Sequence, residues 1–135
     1  MIKQITPTDA WTLLNDSPSA RLVDVRTPME WNMIGVPDTG KTGHDVSLIV
    51  WQMPDGRCNP TFIDELKQHN LSPDQHILFI CRSGVRSDAA AEMAEAAGFL
   101  HCYNVIDGFE GPPDATGQRG QVAGWQAAGL PWQRN

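Results

Sequence analysis

Short apolar segments alternate with segments of helix-forming residues along most of this chain. The predicted strands cover residues 21–25, 46–51, 76–81 and 101–106, and helices are predicted to begin near Thr6, Pro28, Asn59 and Asp88. Each strand is a nearly continuous apolar run, which is typical of strands covered on both faces. Strands that alternate with helices indicate β-α units and a parallel sheet. The chain is therefore predicted to be an α/β protein.

The segments between these elements are mostly predicted loops. Residues 35–43 are dense in Gly, Pro and Thr, which favours a loop. Residues 122–128 are predicted to form a last short helix that ends at Gly129. Because no repeat and no long linker divides the 135 residues, we expect one domain spanning residues 1–135.

Charge and hydropathy narrow the possible partners. The net charge of −6 argues against nucleic-acid binding, because nucleic-acid-binding proteins usually present a basic surface. No apolar stretch approaches the ~20 residues that span a bilayer, and the N-terminus lacks the apolar run of a signal peptide. We therefore expect a cytoplasmic protein with neither nucleic-acid nor membrane partners.

The cysteines and histidines follow no familiar metal or disulfide pattern. The three cysteines include no Cys-x-x-Cys pair, which argues against a disulfide framework. The four histidines are scattered without metal-ligand spacing, so we expect no metal and no cofactor. Cys102 lies on a predicted strand and is expected in the core, whereas Cys58 lies in a turn and is expected at the surface.

Cys81 lies where a predicted buried strand gives way to a predicted helix. The loop that it begins reads Cys-Arg-Ser-Gly-Val-Arg-Ser over residues 81–87. A helix N-terminus carries unpaired backbone N–H groups and the positive end of the helix dipole, which both favour an anion. Two arginines in the same loop act in the same direction. Because these surroundings favour a thiolate, Cys81 is predicted to be a nucleophile.

The rest of this loop is predicted to bind the anion that Cys81 attacks. The guanidinium groups of Arg82 and Arg86 would hold an oxyanion, and Gly84 would allow successive N–H groups to turn toward it. The predicted binding residues are Arg82, Ser83, Gly84, Val85, Arg86 and Ser87.

The two serines of the loop have a second possible role. Ser83 and Ser87 could donate a hydrogen bond to the sulfur, or they could cap the helix. Because Asp88 follows Ser87 directly, capping is the favoured interpretation for Ser87.

Three charged residues lie in or just after the carboxyl end of an earlier predicted strand, where parallel sheets have their working sites. Arg26 and Glu30 are four residues apart at a predicted helix start and are expected to pair with each other. Asp24 is expected to accept hydrogen bonds from neighbouring N–H groups. We therefore predict that Asp24, Arg26 and Glu30 shape the pocket floor and do not transfer protons. The turn at residues 107–109, after the last strand, is expected beside the same site.

Three segments together resemble the rhodanese family of single-domain sulfurtransferases. Residues 24–31 look like that family's Asp-Val-Arg-x-x-x-Glu-(Phe/Trp) segment, and residues 81–86 are similar to its cysteine loop. Residues 98–111 are similar to its closing strand and Gly-rich turn. One segment departs: where the family usually has Gly-His-Ile-Pro-Gly-Ala, residues 34–41 read Ile-Gly-Val-Pro-Asp-Thr-Gly-Lys. The departure is expected to alter the pocket wall and to leave the nucleophile in place.

The resemblance implies a rhodanese-like fold, with a five-stranded parallel sheet and helices on both faces. It implies that Cys81 takes a sulfane sulfur from a small anionic donor such as thiosulfate and holds it as a persulfide. An acceptor thiol, a protein thiol among them, or cyanide would then remove the sulfur.

Two other functions stay open. One is a persulfide carrier that delivers sulfur to a partner protein and turns over small donors poorly. The other is a cysteine phosphatase or arsenate reductase. Cysteine phosphatases place five residues between Cys and Arg, whereas four residues separate Cys81 from Arg86, so the spacing favours sulfur over phosphorus.

Overall fold

Five parallel strands form the central sheet of the computed structural model, which describes residues 1–134. In chain order the elements are β1 (Lys3–Ile5), α1 (Pro7–Asp16), β2 (Arg21–Asp24), α2 (Pro28–Met33), β3 (Val36–Pro37), a 3-10 helix (Gly40–Thr42), β4 (Ser47–Leu48), α3 (Phe62–Gln68), β5 (His76–Ile80), α4 (Val85–Ala96), β6 (His101–Val105) and β7 (Trp132–Gln133). The strand order in the main sheet is β1-β6-β5-β2-β4, and β3 pairs with β7 in a separate antiparallel ribbon. The predicted α/β class and the five-stranded parallel sheet are confirmed.

The sheet is buried on both faces because its side chains alternate between two apolar cores. On β5, Ile77 and Phe79 pack in one core with α3 and α4, and Leu78 and Ile80 pack in the other with α1. This alternation follows from the two-residue period of a strand. Cys81 continues the series of Ile77 and Phe79, so its side chain lies on the α4 side of the sheet.

The N-terminal strand was not predicted from the residue pattern. β1 covers only Lys3–Ile5 and forms an edge of the sheet, where it pairs with β6. Its residues are mostly exposed, so no apolar run marks it. The fifth strand is thus added by pairing to a neighbour and not by its own composition.

Four other predicted elements differ from the structure. Residues 46–51 contribute only Ser47–Leu48 as a strand, and α3 begins at Phe62 without a side-chain cap from Asn59. Part of the predicted loop 35–43 forms β3, which β7 covers. The predicted helix at 122–128 is wrong: this segment is a series of turns, because Gly120, Gly124 and Gly129 all have positive φ.

The C-terminal segment packs against the sheet although it contains no helix. Trp125 is fully buried in the α1-side core, and its Nε1 donates to the carbonyl of Pro131 at 2.7 Å. Its ring meets that of Trp11 edge to face, with centroids 5.9 Å apart. This segment therefore supplies part of the cover that a helix would otherwise give. Within residues 1–134 no helix is both long enough and apolar enough to cross a bilayer.

We expect Trp125→Ala to lower the free energy of unfolding by roughly 3–5 kcal/mol, because it empties the largest buried side-chain site of the α1-side core. The matched control is Val122→Ala, three residues earlier, where the side chain is 58% exposed. That control should change the free energy by less than about 0.5 kcal/mol. Urea unfolding measures both free energies, and equal losses would contradict the packing role of Trp125.

Candidate active site

Cys81 directly follows β5, at the carboxyl edge of the sheet. Its neighbours at this edge are the ends of β2 and β6, because β5 pairs in parallel with both strands. The thiol is almost fully buried, between the sheet and the first turn of α4. The predicted position of Cys81, at a strand end beside a helix start, is confirmed.

The Cys81 sulfur lies within hydrogen-bond distance of two groups in the loop and helix that follow it. The backbone N–H of Gly84 lies 3.1 Å from Sγ, and the hydroxyl oxygen of Ser87 lies 3.2 Å from it. Gly84 has a φ of 107°, which other residues rarely adopt, and it forms the N-cap of α4. Asp88 is the first residue of α4 to donate to a backbone carbonyl, that of Gly84. The positive end of α4 therefore points at the sulfur.

The predicted capping role of Ser87 is wrong. α4 begins at Val85, three residues earlier than predicted, and it has no side-chain cap. Ser87 thus lies inside the first turn, fully buried, and its hydroxyl contacts Cys81 Sγ and Asn104 Oδ1. Sequence reasoning also missed Asn104; its signal was a polar residue within an otherwise apolar strand.

The turn after β6 holds the cysteine loop through its backbone. Phe109 N–H donates to the carbonyl of Cys81 at 2.7 Å, and the N–H groups of Glu110 and Gly111 donate to the carbonyl of Arg82 at 3.0 Å each. A Cβ on Gly108 would collide with the Cys81 carbonyl oxygen. The two segments are therefore in direct contact, as expected for the turn at 107–109.

Asp24 and Arg26 form a fully buried ion pair beneath the site. Arg26 Nη2 lies 2.6 Å from Asp24 Oδ2 and 2.7 Å from the carbonyl oxygen of Gly35. The guanidinium carbon lies 4.4 Å from the centre of the Phe109 ring, and Asp24 also accepts from the Arg26 N–H. Asp24 thus accepts a hydrogen bond from a neighbouring N–H group, as expected.

The predicted pairing of Arg26 with Glu30 is wrong, because Glu30 pairs with Arg86. The two Arg86 terminal nitrogens donate to the two Glu30 carboxylate oxygens at 2.7 and 2.9 Å. Arg26 precedes α2, whose N-cap is Thr27, so the four-residue helix spacing does not apply to it. Glu30 also forms a capping box with Thr27.

The Glu30–Arg86 pair is electrostatically strong although it is only half-buried. Burial disfavours the ionised Glu30 carboxylate, but hydrogen bonds from Arg86 and Thr27 outweigh it and lower the pKa of Glu30. The hydrogen bond and charge of Glu30 in turn raise the pKa of Arg86 above its ordinary value. Arg86 is thus fixed as a cation near Cys81, with its charge shared with Glu30.

Arg82 is the exposed cation of the loop and borders two adjoining clefts. The larger cleft, about 380 Å³, is lined by Thr27, Met29, Glu30, Gln52, Met53, Pro54, Gly56, Arg82 and Arg86. The smaller one, about 230 Å³, is lined by Met29, Glu30, Met33, Ile34, Arg82 and Glu110. Together the two clefts form the mouth of the site. Cys81 lies beneath the mouth and does not line either cleft. The wall formed by residues 52–56 was not predicted, because it comes from a turn distant in sequence.

The segment that departs from the rhodanese pattern lies mainly at a different cleft. Val36, Pro37, Asp38 and Thr39 line a cleft of about 380 Å³ that excludes Arg82 and Arg86. Within residues 34–41, only Ile34 borders the mouth above Cys81. The expected change to the pocket wall is therefore confined to one corner of the mouth.

The other two cysteines lie where the sequence predicted. Cys58 is exposed, and Cys102 is buried in the α4-side core. Burial, with a smaller effect from Glu95, raises the pKa of Cys102 to about 11. In the described part of the chain, no group of three or more His, Cys, Asp or Glu side chains could hold a metal ion.

Comparison with known proteins identifies relatives over nearly the whole chain. Residues 3–135 match the family model described as the STR4 middle domain. The crystal structure of Rv0390 from Mycobacterium tuberculosis has 47% sequence identity and a TM-score of 0.90, and the match covers 98% of each chain. The Rickettsia prowazekii protein RP600 is 36% identical over 134 residues, which are 98% of both chains.

A plant relative carries the chain's likeness as one part of a larger protein. The Rhodanese-like domain-containing protein 4, chloroplastic, of Arabidopsis thaliana is 27% identical over 125 residues. These cover 92% of this chain but 24% of the plant protein.

Gly108→Ala is expected to destabilise the protein more than an equivalent change elsewhere. Its new Cβ would collide with the backbone of Cys81 and Arg82. Gly117→Ala is the control, since Gly117 also has positive φ but has nothing within 4 Å of a new Cβ. The control should cost about 1 kcal/mol in free energy of unfolding, and Gly108→Ala roughly 1–3 kcal/mol more. Equal costs in urea unfolding would argue against close contact between the two segments.

Glu30→Gln is expected to destabilise the protein at neutral pH but not in acid. The lowered pKa of Glu30 means that its ionised form stabilises the fold above the ordinary glutamate pKa of about 4.3. That stabilisation is lost as the pH falls through the lowered value. The variant should therefore lose roughly 1 kcal/mol at pH 7, and the difference from the parent should shrink as the pH is lowered below the ordinary glutamate pKa.

The control for Glu30→Gln is Asp55→Asn, which breaks an exposed pair with Arg57. It should change the free energy of unfolding little at either pH. A Glu30→Gln deficit that persists unchanged in acid would show that the loss comes from packing and not from the ion pair.

Proposed function

We propose that this chain, which belongs to the rhodanese-like family, moves a sulfane sulfur from a small anionic donor such as thiosulfate to a thiophilic acceptor. Cys81 carries the sulfur between the two as a persulfide. The acceptor is cyanide or a thiol, including a thiol on another protein. The observation that supports this most directly is the Cys81 sulfur at the start of α4, which accepts a hydrogen bond from Gly84 N–H and lies 3.2 Å from the Ser87 hydroxyl oxygen.

The first step forms the persulfide. The Cys81 thiolate attacks the outer sulfur of thiosulfate, a new S–S bond forms, and the donor's S–S bond breaks. Sulfite leaves with the bonding electron pair, so the charge moves from the nucleophile to the leaving group. In the second step the acceptor attacks the terminal sulfur, and the Cys81 thiolate is restored. No outside oxidant or reductant is needed, and the two half-reactions give ping-pong kinetics.

The charges around the loop suit an anion at each stage. The positive end of α4 and the Gly84 N–H stabilise the thiolate and the persulfide anion. Arg82, exposed at the mouth, binds the dianionic donor and the departing sulfite. Arg86 adds positive charge, and each of its terminal nitrogens keeps one N–H beyond its bond to Glu30, so it can bind the donor beside Arg82.

The loop length disfavours phosphate chemistry. Four residues separate Cys81 from Arg86, whereas a cysteine phosphatase places five between its cysteine and arginine. We therefore do not favour a phosphatase or an arsenate reductase.

A persulfide carrier for a protein acceptor is the second candidate. Met29 and Met33 are 69% and 65% exposed, and both border the clefts beside Arg82. Exposed methionines at a reaction mouth suit docking of a protein, because their flexible side chains adapt to different surfaces. The two candidates differ in turnover: a carrier would form the persulfide readily and would release it slowly to cyanide.

Intact-mass measurement after incubation with thiosulfate tests the proposal. We expect a gain of one sulfur atom per chain, removed by cyanide and absent in Cys81→Ser, because only the thiolate can attack the donor. Cys58→Ser is the control and should gain and lose the sulfur as the parent does. A sulfur adduct that survives in folded Cys81→Ser would overturn the assignment of Cys81.

A further inference from the structure

A chain of side-chain hydrogen bonds runs from the Cys81 sulfur to a carboxylate at the protein surface. Ser87 Oγ lies 3.2 Å from Cys81 Sγ and 2.5 Å from Asn104 Oδ1. Asn104 Nδ2 donates to Gln4 Oε1 at 2.8 Å, and Gln4 Nε2 donates to Asp88 Oδ1 at 2.7 Å. Ser87 and Asn104 are buried, whereas Gln4 is exposed. The chain thus links α4 to β6 and β1 and returns to α4.

The carboxylate of Asp88 fixes the direction of every hydrogen bond in this chain. An ionised carboxylate only accepts, so Gln4 must turn its NH₂ group toward Asp88 and its carbonyl oxygen toward Asn104. Asn104 must then present its own carbonyl oxygen to Ser87. The single Ser87 hydroxyl proton is therefore drawn toward Asn104 Oδ1, its nearer acceptor.

This direction suits a protonated sulfur better than an anionic one. When Ser87 donates to Asn104, the lone pairs of Ser87 Oγ face Cys81 and can accept from an S–H group. A thiolate or persulfide anion needs the reverse, with the Ser87 hydroxyl donating to sulfur. That rotation would leave the buried carbonyl of Asn104 without a donor, which costs free energy.

We propose that Asn104 and Gln4 are positioning residues that set the balance between the thiol and the anionic forms at Cys81, by competing with the sulfur for the Ser87 proton. The inference rests on the proposed function, since the reaction at Cys81 is what this balance would regulate. In the resting site the Ser87 proton lies toward Asn104. When an anion forms, the Ser87 hydroxyl rotates toward the sulfur.

Other charged groups lie on the loop and on the elements around it. They are Arg82 in the loop, Arg86 on α4, Glu30 on α2, the Asp24–Arg26 pair after β2 and Asp107 after β6. None of them is a member of the hydrogen-bonded chain. A change at Gln4 therefore alters the chain and leaves these charges in place.

The test is the pH profile of Cys81 alkylation by iodoacetamide in Gln4→Met, followed by intact mass. Methionine keeps the length of Gln4 but makes no hydrogen bond, so the Asn104 amide can turn its NH₂ toward Ser87 and free the hydroxyl for sulfur. The pH at which the alkylation rate is half-maximal, called the midpoint below, should fall by about half a pH unit to one pH unit. An unchanged or higher midpoint would overturn the proposal.

Both variant and parent carry Cys58→Ser, so that the exposed thiol does not react. Cys102 stays silent, because burial raises its pKa to about 11. Gln68→Met is the matched control: it is the same change at an exposed glutamine on α3, away from the chain, and should leave the midpoint unmoved.

A double-mutant cycle separates the chain from simple charge. Asp88→Asn removes a negative charge, and it also lets the chain reverse because an amide can donate or accept. If the chain carries the effect, Asp88→Asn should lower the midpoint less in the Gln4→Met background than in the parent. Equal shifts in the two backgrounds would mean that only charge acts, and would refute the role of the chain.

These outcomes are independent of sulfur transfer. If Gln4→Met shifts the alkylation profile but the protein forms no persulfide, the role of the hydrogen-bonded series stands and the proposed function is rejected. If the persulfide forms normally but Gln4→Met leaves the alkylation midpoint unmoved, the role of the hydrogen-bonded series is rejected and the proposed function stands.

Discussion

The active-site loop depends on backbone hydrogen bonds from the turn that follows β6. The N–H groups of Phe109, Glu110 and Gly111 bind the carbonyls of Cys81 and Arg82. This contact is possible because β5 and β6 are parallel neighbours, so their ends reach the same edge of the sheet. With its carbonyls held from one side, the loop can direct the Gly84 N–H at the sulfur. Its shape therefore rests on backbone groups and on glycines that admit close approach.

Two of the three arginines at this edge are paired with carboxylates. Arg26 is bound by Asp24 in full burial, and Arg86 is bound by Glu30 in partial burial. In the described part of the chain Arg82 forms no ion pair, and it borders both clefts of the mouth. The site thus combines two paired arginines with one exposed arginine. The exposed cation suits an anionic substrate that must enter and leave.

Local sequence signals predicted the features that depend on local chemistry. The apolar runs located β2, β5 and β6, and the Thr6-Pro7 pair located the start of α1. The position of Cys81 followed from a strand that ends beside a helix start. Several of the failures involve a partner distant in sequence. β1 exists because β6 pairs with it, and Glu30 meets Arg86 across 56 residues. Ser87 contacts Asn104 because α4 packs on β6.

The sequence by itself determined the alternation of strands and helices, the placement of a thiol at a strand end, and the family that this order resembles. These features depend on neighbouring residues, because the spacing of apolar and polar residues determines which backbone geometry buries the apolar ones. Only the tertiary structure decided which carboxylate meets which arginine, and which groups donate to the sulfur. Such pairings depend on the parallel register and on helix packing, which bring together side chains that no local pattern relates.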